Sequence, residues 1–121
     1  MSNQPLLLAE VRYQRAFRFA NTALHTLCCA SGSMKERLQK IDLEFFTLTT
    51  NELPESEKLR AKFSKLHEVV TSKEVRYPNE GRISATLEQL HHTKLKFIAQ
   101  LIWEIHVEFL TFMRKDDVPS Y

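Results

Sequence analysis

The fold is decided by residues 94–114, which read KLKFIAQLIWEIHVEFLTFMR. Apolar residues recur there at steps of 3, 4, 3, 4 and 3, a heptad seam formed by Leu95, Ile98, Ile102, Ile105, Phe109 and Phe112. A second apolar surface is formed by Phe97, Leu101, Val107, Leu110 and Met113. A helix that is apolar on most sides is either central in a bundle or shared with a partner. The stretch therefore predicts a final helix that forms the middle of the core or the interface of a homodimer.

The composition agrees with a helical protein. The chain has 121 residues, of which 43% are hydrophobic and 26% are charged, as in one ordinary globular domain. It holds only two glycines and four prolines, too few for the many tight turns of a sandwich or barrel. We predict a single all-α domain over residues 1–121, a compact helical bundle of four long helices and one short helix. Its ordered core would cover residues 6–114 and its tail residues 115–121.

Local signals divide this bundle into helices. The first helix is predicted over residues 6–29 and ends at Ser31-Gly32-Ser33. A capping box, Ser33 with Glu36, opens a second helix whose stripe is Met34, Leu38, Ile41, Phe45 and Leu48. Pro54 is placed to open a third helix at its first turn, with an end near residue 71. A loop over 72–79, a short fourth helix around Ile83 and Leu87, and the final helix over 94–114 complete the prediction.

The charge is nearly balanced, with 17 basic and 15 acidic residues and a formal net charge of +2. This balance does not by itself predict a nucleic-acid or membrane partner. Arg12, Arg15 and Arg18 nevertheless form a slanting stripe along the first helix, which could line a phosphate backbone. The alternative, favoured by the modest net charge, is that the stripe pairs with the acidic block at residues 41–57.

The two cysteines indicate a reducing environment. Cys28 and Cys29 are adjacent in a predicted helix and cannot bridge to each other, so a disulfide-stapled scaffold is excluded. We expect at most one of them to face the core, as a small buried hydrophobe. No run of about 18 apolar residues occurs, and the N-terminus lacks the features of a secretory signal. These features predict a cytoplasmic protein with no membrane segment.

Three segments carry a resemblance to known proteins. They are the end of the first helix with GSMKERL at 32–38, LPESEKLRAKF at 53–63 and EGRISATL at 80–87. Together they resemble a group of small bacterial all-helical proteins of uncharacterised function, over about residues 20–110. The resemblance implies a compact helical protein of bacterial origin. It implies no activity, cofactor or site residue.

One pair of residues is similar to a catalytic motif. All-helical RNases of the HEPN superfamily use an arginine and a histidine with four to six residues between them, and Arg60 and His67 have six intervening residues. In such an RNase His67 would move the proton of the ribose hydroxyl and Arg60 would stabilise phosphate charge. Ala61 departs from the pattern, because those enzymes usually have a polar residue directly after the arginine. The alternative is a solvated or capping pair.

The sequence gives little support for a metal site or for a phosphate-binding loop. No Cys-x-x-Cys or His-Glu-x-x-His motif occurs, and Gly32 and Gly81 are too few for a phosphate-binding loop, so we expect no metal and no cofactor. The loop around Arg76 and Tyr77 offers residue types that often anchor protein interfaces. The alternative is that Tyr77 packs over the helix ends as a lid while Asn79 caps the next helix.

The residues together favour a non-enzymatic cytoplasmic interaction protein that acts through helical surfaces. Its partner would be another protein or a second copy bound through the final helix. The alternative is a nucleic-acid-acting protein, which would be either an RNA or DNA binder through Arg12, Arg15 and Arg18 or a HEPN-like RNase that uses Arg60 and His67.

Overall fold

The structure is a computed structural model that describes residues 4–78 and 80–117, with side chains described over 13–78 and 80–113. This part of the chain contains helices and no strand, which confirms the predicted all-α fold class, and four of its helices have seven residues or more. The elements in chain order are α1 (Gln4–Cys29), α2 (Met34–Gln39), α3 (Leu43–Phe46), a 3-10 turn (Thr50–Glu52), α4 (Glu57–Val70), α5 (Arg82–Gln89) and α6 (His92–Asp117).

Helix α6 is the centre of the bundle. It packs against α1, α4 and α2, and its buried residues are Leu95, Ile98, Leu101, Ile102, Ile105 and Phe109. The prediction that this helix forms the middle of the core is therefore confirmed. Leu101, from the second apolar surface, is buried as well, since α6 is flanked by α4 as well as by α1.

The predicted second helix is divided in two. Helix α2 ends at Gln39, and α3 starts after Asp42, whose side chain accepts a hydrogen bond from the amide of Glu44 at 3.0 Å. The prediction of one continuous helix was wrong because Asp42, which lies between two residues of the predicted stripe, caps the start of a new helix. The apolar spacing survives the break, since Leu38, Ile41 and Phe45 are all buried.

The helix starts are set by short polar residues. The predicted capping box is present: Ser33 Oγ accepts from the amide of Glu36 at 3.2 Å, and the Glu36 carboxylate accepts from the amide of Ser33 at 3.1 Å. Helix α4 begins at Glu57, where Ser56 Oγ accepts from the amide of Leu59 at 3.3 Å. Pro54 therefore lies before the helix rather than in its first turn, because Ser56 supplies the cap.

The two longest helices extend past the predicted bounds. Helix α1 begins at Gln4 instead of residue 6, and α6 covers His92–Asp117 instead of 94–114. Residues 115–117 are thus the last turn of α6, and residues 118–121 of the predicted tail lie outside the described residues. Among the described helices, none combines the length and the apolar composition needed to cross a bilayer.

Candidate functional site

One face of α6 is apolar and exposed. Trp103 is 50% exposed and Leu110 is 41% exposed, whereas the opposite side of the helix is buried. The two residues are seven positions apart and therefore lie on the same side of the helix, with partly exposed Val107 between them. We call the surface formed by Trp103, Val107 and Leu110 the Trp103 face. A large exposed aromatic residue on the central helix of a bundle is an unusual feature that marks a candidate binding surface.

A stack of rings supports the Trp103 face from below. The imidazole of His106 lies 6.4 Å from the indole of Trp103, at 31° between ring planes. On its other side His106 stacks on Phe17 of α1, at 6.1 Å and 13°. Phe17 in turn contacts the buried Phe109, at 5.7 Å between ring centroids. The inner side of the Trp103 indole thus lies against a ring that Phe17 in turn supports.

His106 itself is buried and uncharged. It is only 9% exposed, and its Nδ1 atom has no hydrogen-bond partner. Burial lowers the pKa of His106 below its ordinary value of 6.5, because the protonated ring would be removed from water without compensation. At neutral pH the ring beneath the Trp103 face is therefore neutral.

The edge of this face towards α4 is polar. Lys62 of α4 donates to the carboxylate of Glu104 at 2.6 Å, and Gln100 donates to the same carboxylate at 2.9 Å. These two hydrogen bonds, that from Lys62 first, hold the pKa of Glu104 below its ordinary value. A polar rim beside an apolar centre is the usual arrangement of a protein interface.

One arginine of the predicted stripe, Arg15, forms ion pairs with acidic side chains. Arg15 donates to Glu44 at 2.9 Å and to Glu52, and its guanidinium lies over the ring of Phe19 at 5.1 Å. For Arg15 the expected pairing with the acidic block at 41–57 is thus confirmed. The side chain of Arg12 lies outside the described residues.

A groove runs beside this stripe. Its volume is about 540 Å³, and its lining residues are Gln14, Arg15, Arg18, Phe19, Thr22 and Asp42. Arg18 is exposed in it, but Asp42 places a carboxylate in the same groove and also caps α3. The lining is therefore mixed in charge rather than a basic track.

The structure does not bring Arg60 and His67 together in one pocket. Arg60 points to the loop before α4, where it donates to the carbonyl oxygens of Pro54 at 3.0 Å and Leu53 at 3.2 Å. His67 is exposed two helical turns further along and lines a different cavity of about 420 Å³ with Thr49 and Phe63, whose lining does not include Arg60. In this conformation Arg60 stabilises the loop before α4 by hydrogen bonds to its backbone.

The loop before α5 presents its aromatic residue to solvent. Tyr77 is 61% exposed, so it does not form the lid that was considered as an alternative. Arg76 lies over its ring at 5.3 Å and pairs with Glu80 at 2.6 Å. This pairing holds the pKa of the Glu80 carboxyl below its ordinary value. Asn79 lies outside the described residues.

Cys28 and Cys29 are both exposed and unpaired, so the expected buried cysteine is absent from this position. The apolar contact at the end of α1 is made by Leu27, and the next two residues turn towards solvent. Among the described residues no group of three or more His, Cys, Asp or Glu is placed to hold a metal ion.

Two features were missed in the sequence. Trp103 was left out of the second apolar surface, although its spacing of seven from Leu110 places both on one face. A Glu-x-x-His spacing at Glu88 and His91 was also passed over; the carboxylate of Glu88 accepts from Gln39 at 2.8 Å and lies 4.0 Å from Lys35. The burial of His106 had no local signal, because it depends on Phe17 from a distant helix.

Comparison with known proteins returned no match: no family model, no curated protein and no solved structure is significantly similar to this chain. The resemblance of residues 20–110 to small bacterial helical proteins stays a prediction.

Proposed function

We propose that the protein is a non-enzymatic interaction module that binds a protein partner through the Trp103 face. The observation that carries this proposal is the half-exposed Trp103 on a helix that is otherwise the centre of the core. Tryptophan is enriched among the residues that dominate binding energy at interfaces. Its indole supplies a large apolar area and one hydrogen-bond donor.

The ring stack beneath Trp103 supports the same proposal. A side chain that is already held between neighbours loses less conformational entropy on binding than a free one. His106 contacts the indole on its inner side, and Phe17 stacks on His106 and so fixes that ring in place, at the distances given above. The exposed Leu110 and the polar rim at Glu104 extend the surface in the manner of an apolar centre with a hydrated edge.

The proposal includes a reducing compartment, which we take to be the cytoplasm. Its support is the pair of unpaired, exposed cysteines, Cys28 and Cys29. Two exposed thiols at the end of one helix would be open to oxidation in a secreted protein.

Nucleic-acid binding is the second candidate function. Its specific support is the exposed Arg18, which shares a groove with the aromatic ring of Phe19. The ion pairs of Arg15 with Glu44 and Glu52 weigh against it, because they neutralise the middle of the stripe. The RNase form of this candidate would further require Arg60 to leave the carbonyl oxygens of Leu53 and Pro54.

Site-specific photo-crosslinking tests the interaction module. A photoreactive phenylalanine derivative is placed at position 103 or, as a matched control, at position 43, where Leu43 is 49% exposed on α3. The purified protein and a cell extract are irradiated in separate arms. We expect protein crosslinks from position 103 that wild-type protein competes away and the double variant W103A/L110A does not. Equal yields from positions 103 and 43 would overturn the proposal.

A further inference from the structure

One side of α6 carries a row of residues that is complementary to the same row on a second α6 helix running in the opposite direction. Lys96, Trp103, Leu110 and Asp117 follow one another at steps of seven residues and so occupy one side of the helix. In sequence the stripe reads cation, aromatic, aliphatic, anion. Turned end for end, it places an anion opposite the cation and an aliphatic residue opposite the aromatic one.

We propose that the partner bound by the Trp103 face is a second copy of this chain, with the two α6 helices antiparallel about a two-fold axis beside Val107. The inference rests on the proposed function and names its partner. Trp103 of each copy then lies against Leu110 of the other, and position 96 of each copy lies opposite position 117. A two-fold interface of this kind uses the same surface on both subunits.

Charge complementarity selects the antiparallel arrangement. A parallel pair in the same register would place Lys96 opposite Lys96 and Asp117 opposite Asp117, and like charges directly opposite each other are unfavourable. The antiparallel pair places opposite charges at both ends of the contact. It also sets the two helix dipoles antiparallel, so that the positive end of each helix lies beside the negative end of the other, which adds to the preference.

The centre of the contact suits close approach of two helices. Val107 is the residue nearest the two-fold axis, and it is smaller than Trp103 and Leu110 on either side. Two large residues flanking a small one give each helix a recess for the partner's side chains, as in coiled-coil packing. The stacked rings of Phe17 and His106 lie beside Trp103 on the α1 side.

Sedimentation of the purified protein over a range of concentrations tests the self-association. We expect a reversible monomer–dimer equilibrium that W103A weakens by about tenfold or more, as truncation of a central tryptophan does. The variant L43A, which removes a comparably exposed residue from α3, should leave the equilibrium unchanged. Circular dichroism of each variant confirms that it is folded.

Charge reversal tests the register. K96E and D117K should each weaken the dimer by roughly three- to tenfold, because each places like charges opposite each other at both ends of the contact. The double variant K96E/D117K should recover wild-type affinity. An equimolar mixture of the two single variants should form mixed dimers in preference to either homodimer. A double variant weaker than either single one would overturn the antiparallel register.

Cysteine crosslinking tests the position of the axis. In a background with Cys28 and Cys29 replaced by serine, V107C should form a disulfide between copies on mild oxidation. The variant K96C, about 11 residues from the axis and about 16 Å along the helix, should not. Crosslinking of K96C to itself without that of V107C would overturn the antiparallel arrangement.

The outcomes separate this inference from the function on which it rests. A protein that stays monomeric at every concentration, yet crosslinks another protein from position 103 in extract, would overturn the second copy and leave the interaction module standing. A dimer that W103A and L110A do not weaken, with no crosslinks from position 103, would overturn both. Two results together support both: W103A weakens the dimer, and the double variant K96E/D117K recovers the affinity that each single charge reversal lowers.

Discussion

The imidazole of His106 lies flat against the ring of Phe17, with 13° between their planes and 6.1 Å between their centroids. Phe17 belongs to α1 and His106 to α6, so the exposed indole of Trp103 is supported by a residue from a distant part of the chain. A change at Phe17 would therefore alter the Trp103 face without touching it.

His106 predicts a loss of stability in mild acid. Burial lowers the pKa of His106 in the folded protein, so the unfolded chain binds the proton more tightly. The contribution of the neutral His106 ring to the free energy of unfolding is fully present above the pKa of the unfolded chain, about 6.5. It falls as the pH drops through that value towards the lower pKa of the folded protein. Urea unfolding at pH 7.5 and pH 5.5 should show this fall in the wild type and a smaller one in His106→Phe.

The control for that measurement is His67→Gln, which changes an exposed histidine and should keep the wild-type fall. The carboxyls of Glu36, Glu80 and Glu104 have lowered pKa values, so their contributions are lost only below their ordinary value of 4.5. If His106→Phe and the wild type lose equal stability between pH 7.5 and 5.5, His106 is not the group responsible.

Substitutions at Arg60 and at His67 should differ in their effect on the free energy of unfolding. Arg60→Ala removes two hydrogen bonds to backbone carbonyl oxygens and should lower the free energy of unfolding by about 1–2 kcal/mol. His67→Ala should change it by less than about 0.5 kcal/mol, as expected for an exposed residue. Chemical denaturation measures both, with exposed Lys58→Ala as the control on the same helix.

The same proteins test catalysis when they are incubated with bulk RNA. A non-enzymatic protein should leave the RNA intact in the wild-type and His67→Ala samples alike. Cleavage by the wild type that disappears in His67→Ala would contradict the proposed function and favour the RNase.

The two glycines predict opposite results for one substitution. Gly32 has φ +109°, and an added Cβ would lie 3.1 Å from Cβ of Glu36, so Gly32→Ala should destabilise the protein by about 1–2 kcal/mol. Gly81 has φ −70° and open space around it, so Gly81→Ala should stay within about 0.5 kcal/mol of the wild type. Thermal unfolding of the two variants side by side makes the comparison, and equal losses would show that the turn at Gly32 is not strained by a side chain.

The ion pairs of Arg15 should contribute little and depend on salt. Its side chain and that of Glu44 are more than half exposed, so Arg15→Ala should cost about 1 kcal/mol or less at low ionic strength. The cost should shrink in about 1 M salt, where charges are screened within roughly 3 Å. Urea unfolding at the two salt concentrations measures it. A loss that persists at high salt would mean that Arg15 acts through its packing on Phe19.

Local chemistry made part of this structure predictable. The capping box at Ser33 and Glu36 involves residues three apart, and the core role of α6 follows from its own periodicity. The pairing of Arg15 with the acidic block followed from charge segregation between two segments. In each case the deciding interaction is either short in sequence or set by composition.

The remainder depends on competition between neighbours or on distant contacts. Asp42 was not predicted to cap a helix because the apolar stripe continues on both sides of it. Ser56 was not predicted to cap the next helix because Pro54, two residues earlier, already marked a helix start. The hydrogen bonds from Arg60 require the loop before α4 to fold back on its own helix. The burial of His106 beside an exposed Trp103 requires α1 to lie along α6, which no property of residues 92–117 can reveal.

The central position of α6 also bears on the order of folding. During synthesis a nascent chain that has reached Leu90 possesses α1, α2 and α4 but not the helix on which they pack. Contacts such as Tyr13 with Phe112 join residues nearly the whole described chain apart, and such non-local contacts slow folding. Until α6 emerges from the ribosome, the apolar sides that the earlier helices turn towards α6 have no cover, and exposed apolar surface of this kind favours aggregation and chaperone binding.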